Sequence, residues 1–134
     1  MPFALGAKVA KPDTMVVCLH GDGSFEMNGM ELDTAARHNL PILTVILNNG
    51  GWTAKHPGTV SVPGRDLGFT RYEQMFAPIG VHPEFVEKPE DSRPALERAV
   101  SAVESGRSAI VNAVCDEMAR SDTQKCSTGG GGAA

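Results

Sequence analysis

The sequence predicts an α/β domain built on a mostly parallel sheet with helices on both faces. Short runs of β-branched and apolar residues alternate along the chain with segments whose apolar residues recur at helical spacing. Such alternation is typical of parallel strands joined by crossover helices. The chain has 134 residues, of which 41% are hydrophobic. That size and composition suit one domain with a modest core.

The first half of the chain predicts a strand–helix–strand unit. Residues 15–19 form a continuous apolar run that stops at the Gly-Asp-Gly sequence of residues 21–23, a pattern that predicts a strand buried on both faces. Asn28 and Glu31 have the spacing of an N-cap and its capping box, which predicts the start of a helix. Residues 42–47 predict a second buried strand. A unit of about 30 residues places its two strands parallel.

The second half predicts two more helices and two more strands. Residues 51–68 are irregular and rich in glycine and proline, and a loop of this length usually has a function. A capping box of Thr70 and Glu73 predicts a short helix after it. A weak strand at residues 85–86 precedes a longer helix that starts at residue 89 and is ended by a C-capping glycine at 106. Ala109–Val114 is the last predicted strand.

Composition limits the class of protein. The formal net charge of -4 argues against a nucleic-acid-binding surface. No apolar run approaches the roughly 20 residues that span a bilayer, and three cysteines without a close pair predict neither disulfides nor a zinc site. We therefore expect a cytoplasmic protein that binds neither nucleic acid nor membrane. Residues 1–118 are predicted to form the domain, and residues 119–134 a disordered low-complexity tail.

Polar residues follow the first two predicted strands. Asp22 comes directly after the first strand and Asn49 directly after the second, 27 positions later. Parallel strands end at the same edge of a sheet, so the carboxylate and the carboxamide should meet there. Both supply the hard oxygen ligands that Mg²⁺ prefers. The backbone at Gly21 and Gly23 could turn sharply and approach an anion, and Ser24 adds a hydroxyl donor. This edge therefore suits a metal-bridged diphosphate.

The Gly-Asp-Gly sequence also invites comparison with other kinds of binding site. A dinucleotide fingerprint would need glycine where Glu26 stands, and no Gly-Lys-Ser/Thr follows for a P-loop. A phosphoacceptor aspartate and a plain Asp-Gly turn both stay open for these three residues alone. The pair Asn48-Asn49 at the next strand end favours the metal site, because a phosphoacceptor domain has no use for it.

These residues resemble the thiamine diphosphate motif. Gly-Asp-Gly, then 24 residues, then Asn-Asn is similar to the motif of the C-terminal diphosphate-binding domain in the acetolactate synthase, benzaldehyde lyase and 2-hydroxyacyl-CoA lyase group. The similarity covers roughly residues 4–116. It implies the thiamine-diphosphate-binding fold, with thiamine diphosphate and Mg²⁺ as cofactors.

The resemblance also implies roles for single residues. Asp22, Asn49 and the backbone carbonyl of Gly51 match the metal ligands. Gly23 and Ser24, together with Gly21, match the positions around the diphosphate. Asn48 is expected to support the turn rather than touch the metal.

The resemblance further implies partners and a reaction. Enzymes of this group use the deprotonated cofactor to attack a substrate carbonyl, so the chain resembles part of a carboligase or lyase acting on 2-oxo acids. A 2-hydroxyacyl-CoA or aldehyde lyase domain and a noncatalytic remnant or assembly subunit are the alternatives. The upstream segment of the domain and the pyrimidine-binding domain precede this region in the family. We expect another chain or a missing N-terminal part to supply them in a homo- or hetero-oligomer, and the isolated chain to be inactive.

Two further residues near the motif have competing interpretations. Trp52 could line the substrate side of the cofactor or anchor its loop by packing. His20 is more readily explained as a packed, hydrogen-bonded histidine than as a catalytic one.

Overall fold

The computed structural model describes residues 1–52 and 63–119. The described chain forms five α-helices and four strands, with short 3₁₀ turns at Ala77–Ile79 and Pro89–Asp91. In chain order the elements are α1 (Pro2–Ala10), β1 (Val17–Gly21), α2 (Asp22–Asn28), α3 (Glu31–Arg37), β2 (Leu43–Asn48), α4 (Tyr72–Phe76), β3 (His82–Val86), α5 (Ser92–Glu104) and β4 (Ala109–Val114). None of these helices is long and apolar enough to cross a membrane.

The four strands form one parallel sheet in the order β1-β2-β4-β3. Gly21 of β1 is paired with Leu47 of β2, so both strands end at the same edge. Parallel pairing needs a crossover after each strand, and the helices provide it. The predicted α/β class with a parallel sheet is confirmed.

Helices cover both faces of the sheet, as predicted. On one face, side chains of α1 to α4 pack with strand residues around Phe25, Ile46 and Ile110. On the other face α5 packs with Ala95 and Ala99 against the sheet. The small alanine side chains let this helix approach β4 closely. Helix α1 was not predicted, although its Leu5 and the preceding Met1 are buried among the side chains of the first face.

The first predicted strand is wrong in its position and burial. It lies at Val17–Gly21 rather than 15–19 and forms an edge of the sheet, with every second residue exposed. Val17 is 56% exposed and Leu19 64%. The physical reason is that α5 packs mainly on β3 and β4, which leaves Val17 and Leu19 of β1 uncovered on that face. An apolar run without alternation therefore concealed a half-exposed edge strand.

Both predicted capping boxes are also wrong. Asn28 ends α2, and α3 begins after Met30 without a side-chain cap. The predicted single helix is instead two short helices, the first starting at Asp22. Glu73 caps nothing in α4, because its carboxylate accepts hydrogen bonds from Arg71 and Asn112. The Glu73 side chain, which the sequence pattern assigned to a helix end, is instead engaged in buried polar contacts.

The predicted helix end at Gly106 agrees with the structure, where this glycine has a left-handed φ of 91° just after α5. Asn39 has a left-handed φ of 52° just after α3. Only the ends of the loop at 51–68 are described, where Gly51 bridges Asp66 and the Trp52 N–H donates to the Arg65 carbonyl at 2.9 Å. Of the predicted tail at 119–134, only residue 119 is within the described residues.

Candidate cation and diphosphate site

Asp22, Asn49 and Gly51 come together where β1 and β2 end. Asp22 is the first residue of α2, directly after β1, and Asn49 directly follows β2. One end of the Asn49 side-chain amide lies 3.1 Å from Asp22 Oδ1 and 2.9 Å from the carbonyl oxygen of Gly51. The residues expected at a metal are therefore within contact of one another.

The spacing of this cluster allows two states of the Asn49 amide. With its nitrogen at the contact position, the amide donates hydrogen bonds to Asp22 and Gly51. With its oxygen there, three oxygens meet at 2.9 and 3.1 Å and need a cation between them. Mg²⁺ holds oxygens at about 2.1 Å and at right angles, which separates neighbouring ligands by about 3.0 Å. The donor set fits this ion, and the 2.9 and 3.1 Å distances suit either state of the amide.

Asp22 is a buried carboxylate without a counterion among the described residues. It is 1% exposed, and among the described residues its Oδ2 has no hydrogen-bond partner. Burial raises the pKa of the Asp22 carboxyl, while hydrogen bonds from the backbone N–H groups of Gly23 and Gly51 act in the opposite direction. A buried charge of this kind is costly unless something neutralises it. An added cation would remove that cost.

The described residues contain no group of three or more His, Cys, Asp and Glu side chains placed to hold a metal. One carboxylate, one amide and one backbone carbonyl make up this oxygen cluster instead. Hard oxygen ligands of mixed type suit Mg²⁺ and do not suit zinc or copper.

The two glycines of the motif differ from the expected sharp turn. Gly21 has an extended backbone with φ of -82°, and a Cβ there would meet nothing within 4 Å. Gly23 lies in α2, where a Cβ would come within 2.8 Å of the Trp52 ring. The close approach of Trp52 therefore explains glycine at 23, and nothing in the structure requires it at 21. Because Trp52 packs on Gly23, it acts as a loop anchor over the motif.

The side chains of Ser24 and His20 are engaged in local contacts. Ser24 Oγ donates to the carbonyl of Gly21 at 3.0 Å and lies 3.4 Å from His20 Nδ1. His20 Nε2 is 2.9 Å from Cys18 Sγ, and burial lowers the pKa of the imidazole. The interpretation of His20 as a packed, hydrogen-bonded histidine is confirmed. The diphosphate role of Ser24 stays a prediction.

Sequence reasoning missed a buried polar cluster beneath the site. Asn48 was expected to support the turn, and its amide donates to Asn112 Oδ1 at 3.1 Å and to the Thr70 carbonyl at 3.2 Å. Asn112 in turn donates to Glu73 Oε2 at 2.8 Å. The available signal was Asn112 itself, a lone amide in the otherwise apolar last strand.

The family comparison identifies a thiamine pyrophosphate enzyme domain. Residues 1–113 match the family described as thiamine pyrophosphate enzyme, C-terminal TPP binding domain, and the chain belongs to that family. The chain is 44% identical over 119 residues to an acetolactate synthase large subunit of Mycobacterium tuberculosis, covering 85% of this chain and 21% of that protein.

Other relatives widen the range of reactions. A 2-hydroxyacyl-CoA lyase 2 of Bos taurus is 39% identical over 82 residues, which is 58% of this chain and 13% of that protein. A sulfoacetaldehyde acetyltransferase of Alcaligenes xylosoxydans is 29% identical over 121 residues, 86% of this chain and 20% of that protein. The chain thus spans at most about a fifth of the length of these relatives.

Proposed function

We propose that this chain is the thiamine diphosphate- and Mg²⁺-binding domain of an acetolactate-synthase-like carboligase or lyase that acts on 2-oxo acids. The observation that supports it most is the buried Asp22 carboxylate, whose Oδ2 has no hydrogen-bond partner among the described residues and whose Oδ1 lies 3.1 Å from one end of the Asn49 side-chain amide. The family match supports thiamine diphosphate as the cofactor, and the similarity to an acetolactate synthase favours this reaction class.

In this proposal each site residue has one task. Asp22, Asn49 and the Gly51 carbonyl hold the cation, which in turn holds the diphosphate. Gly23 and Ser24, at the start of α2, contact the diphosphate itself. When bound, thiamine diphosphate supplies an electron sink for breaking or forming a carbon–carbon bond next to a carbonyl. The chain's own part is to fix the diphosphate end of the cofactor and, through Trp52, to shield Gly23 from water.

A lyase acting on 2-hydroxyacyl-CoA or aldehyde substrates is the second candidate. The 39% identity to a 2-hydroxyacyl-CoA lyase 2 favours it, although over a shorter segment than the synthase match. A noncatalytic remnant or assembly subunit is the third candidate. Such a protein would keep the fold without binding Mg²⁺ or cofactor.

We also propose that further protein completes the site. The edge strand β1 carries exposed apolar side chains at Val17 and Leu19, and Leu47 beside them is 44% exposed. Edge strands of this kind are usually paired or covered. A pyrimidine-binding domain, supplied by another chain or by the rest of a longer chain in a homo- or hetero-oligomer, would then act with this domain in the cytoplasm. On this proposal the isolated chain has no turnover.

Thermal unfolding tests the proposal directly. We expect thiamine diphosphate to raise the melting temperature only when Mg²⁺ is also present, because a ligand that binds the native state stabilises it. Asp22→Ala and Asn49→Ala should each abolish that shift. The matched control is Asn28→Ala, at an exposed amide that ends α2 and lies outside the cluster.

Each outcome of this experiment has a defined meaning. A shift retained in either cluster variant would show that the substituted side chain is not a ligand. A wild-type chain without any Mg²⁺-dependent shift, even with a partner domain added, would favour the remnant. Turnover by the isolated chain would refute the claim that the site is incomplete.

A further inference from the structure

We propose that Asn112 and Glu73 are positioning residues for the cation site. They act through Asn48, which holds the turn that carries Asn49 and Gly51. This inference rests on the proposed function for the nature of the ligand and on the described contacts for the positioning itself.

The cluster formed by Asn48, Asn112 and Glu73 is buried in the core beneath the turn. Asn48 and Asn112 are 0% exposed and Glu73 is 3% exposed. Burying two amides and a carboxylate is unfavourable unless each polar atom has a partner. Apolar residues of similar size would fill the same space without that requirement, so the polar cluster needs a reason beyond packing.

The hydrogen bonds of the cluster permit only one orientation for each amide. Asn112 Nδ2 donates to the Thr70 carbonyl at 3.0 Å and to Glu73 Oε2 at 2.8 Å, which leaves its oxygen to accept from Asn48. Asn48 Nδ2 uses both hydrogens, on Asn112 Oδ1 and on the Thr70 carbonyl. Its oxygen is therefore free to accept from the Gly50 N–H at 3.2 Å.

This last hydrogen bond sets the path of the turn. Gly50 has a left-handed φ of 75°, and its carbonyl accepts from Leu67 and Gly68 at 2.9 and 3.2 Å. If the Asn48 amide were reversed, its nitrogen would face the Gly50 N–H, and the turn would lose the hydrogen bond that ties it to the core. Asn49 and Gly51 flank Gly50, so a displaced turn would separate the Asn49 amide and the Gly51 carbonyl from Asp22.

Glu73 determines which end of Asn112 faces Asn48. Its carboxylate only accepts hydrogen bonds, one from Asn112 and one from Arg71 Nε at 2.6 Å. The Asn112 nitrogen must therefore point toward α4 and the oxygen toward β2. A chain of contacts thus runs from α4 through β4 to the turn after β2.

The test separates positioning from general stability by comparing two buried residues of β4. Asn112→Leu removes the hydrogen bonds, while Val111→Ala, on the opposite face of the same strand, removes only packing. The first measurement is amide hydrogen exchange of Gly50 by NMR in the ligand-free chain, normalised to Val45 in β2. The second is the Mg²⁺ affinity at saturating thiamine diphosphate.

We expect Asn112→Leu to speed Gly50 exchange relative to Val45 and to weaken Mg²⁺ binding by about 10- to 100-fold, the usual cost of losing a residue that orients a metal ligand. Val111→Ala should lower thermal stability and leave both quantities unchanged. Unchanged relative exchange at Gly50 in Asn112→Leu, or an equal loss of Mg²⁺ affinity in Val111→Ala, would overturn the inference.

A charge-swapped pair covers the case in which Asn112→Leu does not fold. Asn112→Asp places a second carboxylate against Glu73 and should weaken Mg²⁺ binding. Adding Glu73→Gln restores a donor and acceptor at that contact and should recover much of the affinity. No recovery would overturn the inference. If the wild-type chain bound no Mg²⁺, the proposed function would fail, and Gly50 exchange would still decide whether Asn112 holds the turn.

Discussion

Replacing Asp22 by asparagine should have opposite effects with and without ligand. Asp22 is 1% exposed, and its Oδ2 has no hydrogen-bond partner among the described atoms. Asp22→Asn keeps the shape of the side chain and removes the charge. In the ligand-free chain it relieves a buried, unneutralised carboxylate, and with Mg²⁺ it replaces a charged ligand by a neutral one. The variant should therefore be more stable than the wild type alone and less stable in the complex.

The ligand-free gain follows from the cost of an unsatisfied buried acceptor, about 1–3 kcal/mol. The asparagine still leaves one polar atom at that place, so we expect the lower end of the range. A gain of about 1 kcal/mol raises the melting temperature by roughly 4 °C for a chain of this size.

The stability difference between Asp22→Asn and the wild type also depends on pH. Burial raises the pKa of the folded Asp22 carboxyl above its unfolded value. The wild type therefore loses stability as pH rises through the folded pKa. The variant's advantage should be present at neutral pH and vanish below about pH 4.

With thiamine diphosphate and Mg²⁺ bound, we expect the wild type to be more stable than Asp22→Asn. At ligand concentrations about 100 times Kd, binding stabilises the wild type by about 2.7 kcal/mol, or roughly 11 °C. Asp22→Asn should show almost none of this shift. The control is Asp33→Asn, which removes a half-buried carboxylate paired with Arg37 at 2.7 Å and should change stability little with or without ligand. A variant that is destabilised without ligand, or that keeps the Mg²⁺ response, would refute the reasoning.

Three further predictions concern the surroundings of the site. Gly23→Ala places a methyl group within 2.8 Å of the Trp52 ring and should displace it, shifting the emission of this single tryptophan to longer wavelength; an unchanged spectrum would contradict the packing. The hydrogen bond from Arg98 lowers the pKa of Glu84, so Glu84→Gln should lower the melting temperature at neutral pH. This difference from the wild type should disappear as pH falls through the folded pKa of Glu84. Leu19→Lys should reduce self-association measured by sedimentation with little change in melting temperature, since the side chain is 64% exposed; a large loss of stability would show a core role.

Local patterns in the sequence predicted the sheet and the site edge well. Buried strands and helix-ending residues such as Gly106 leave signals within a few neighbouring positions. The meeting of Asp22 with Asn49 followed from one long-range rule, the common edge of parallel strands. The elements and the meeting of these two residues both depend on the hydrophobic pattern and the order of strands and helices, which a single sequence contains.

Side-chain partners chosen by tertiary packing could not be predicted in this way. The capping-box pattern at Glu73 was a reasonable local signal, but the carboxylate bonds Asn112 from a strand 39 positions later. The exposure of Leu19 likewise depends on the reach of α5, which no local window contains. Interactions between distant segments override local preferences where a buried polar group needs a partner.

The different tasks of the two adjacent asparagines follow from the geometry of the strand. Successive side chains of a strand point to opposite faces, and Asn48 is the last residue of β2. Its side chain points into the core, where it hydrogen-bonds Asn112. The chain leaves the sheet before Asn49. Because Gly21 pairs with Leu47, Asp22 leaves the neighbouring strand at the level of Asn48, one position before Asn49. A shift of one residue between β1 and β2 would carry Asn49 past the carboxylate. The hydrogen bond from Asn48 to Asn112 depends on the separate register of β2 against β4. The parallel register of β1 and β2 is therefore as necessary to the cation site as its oxygen ligands.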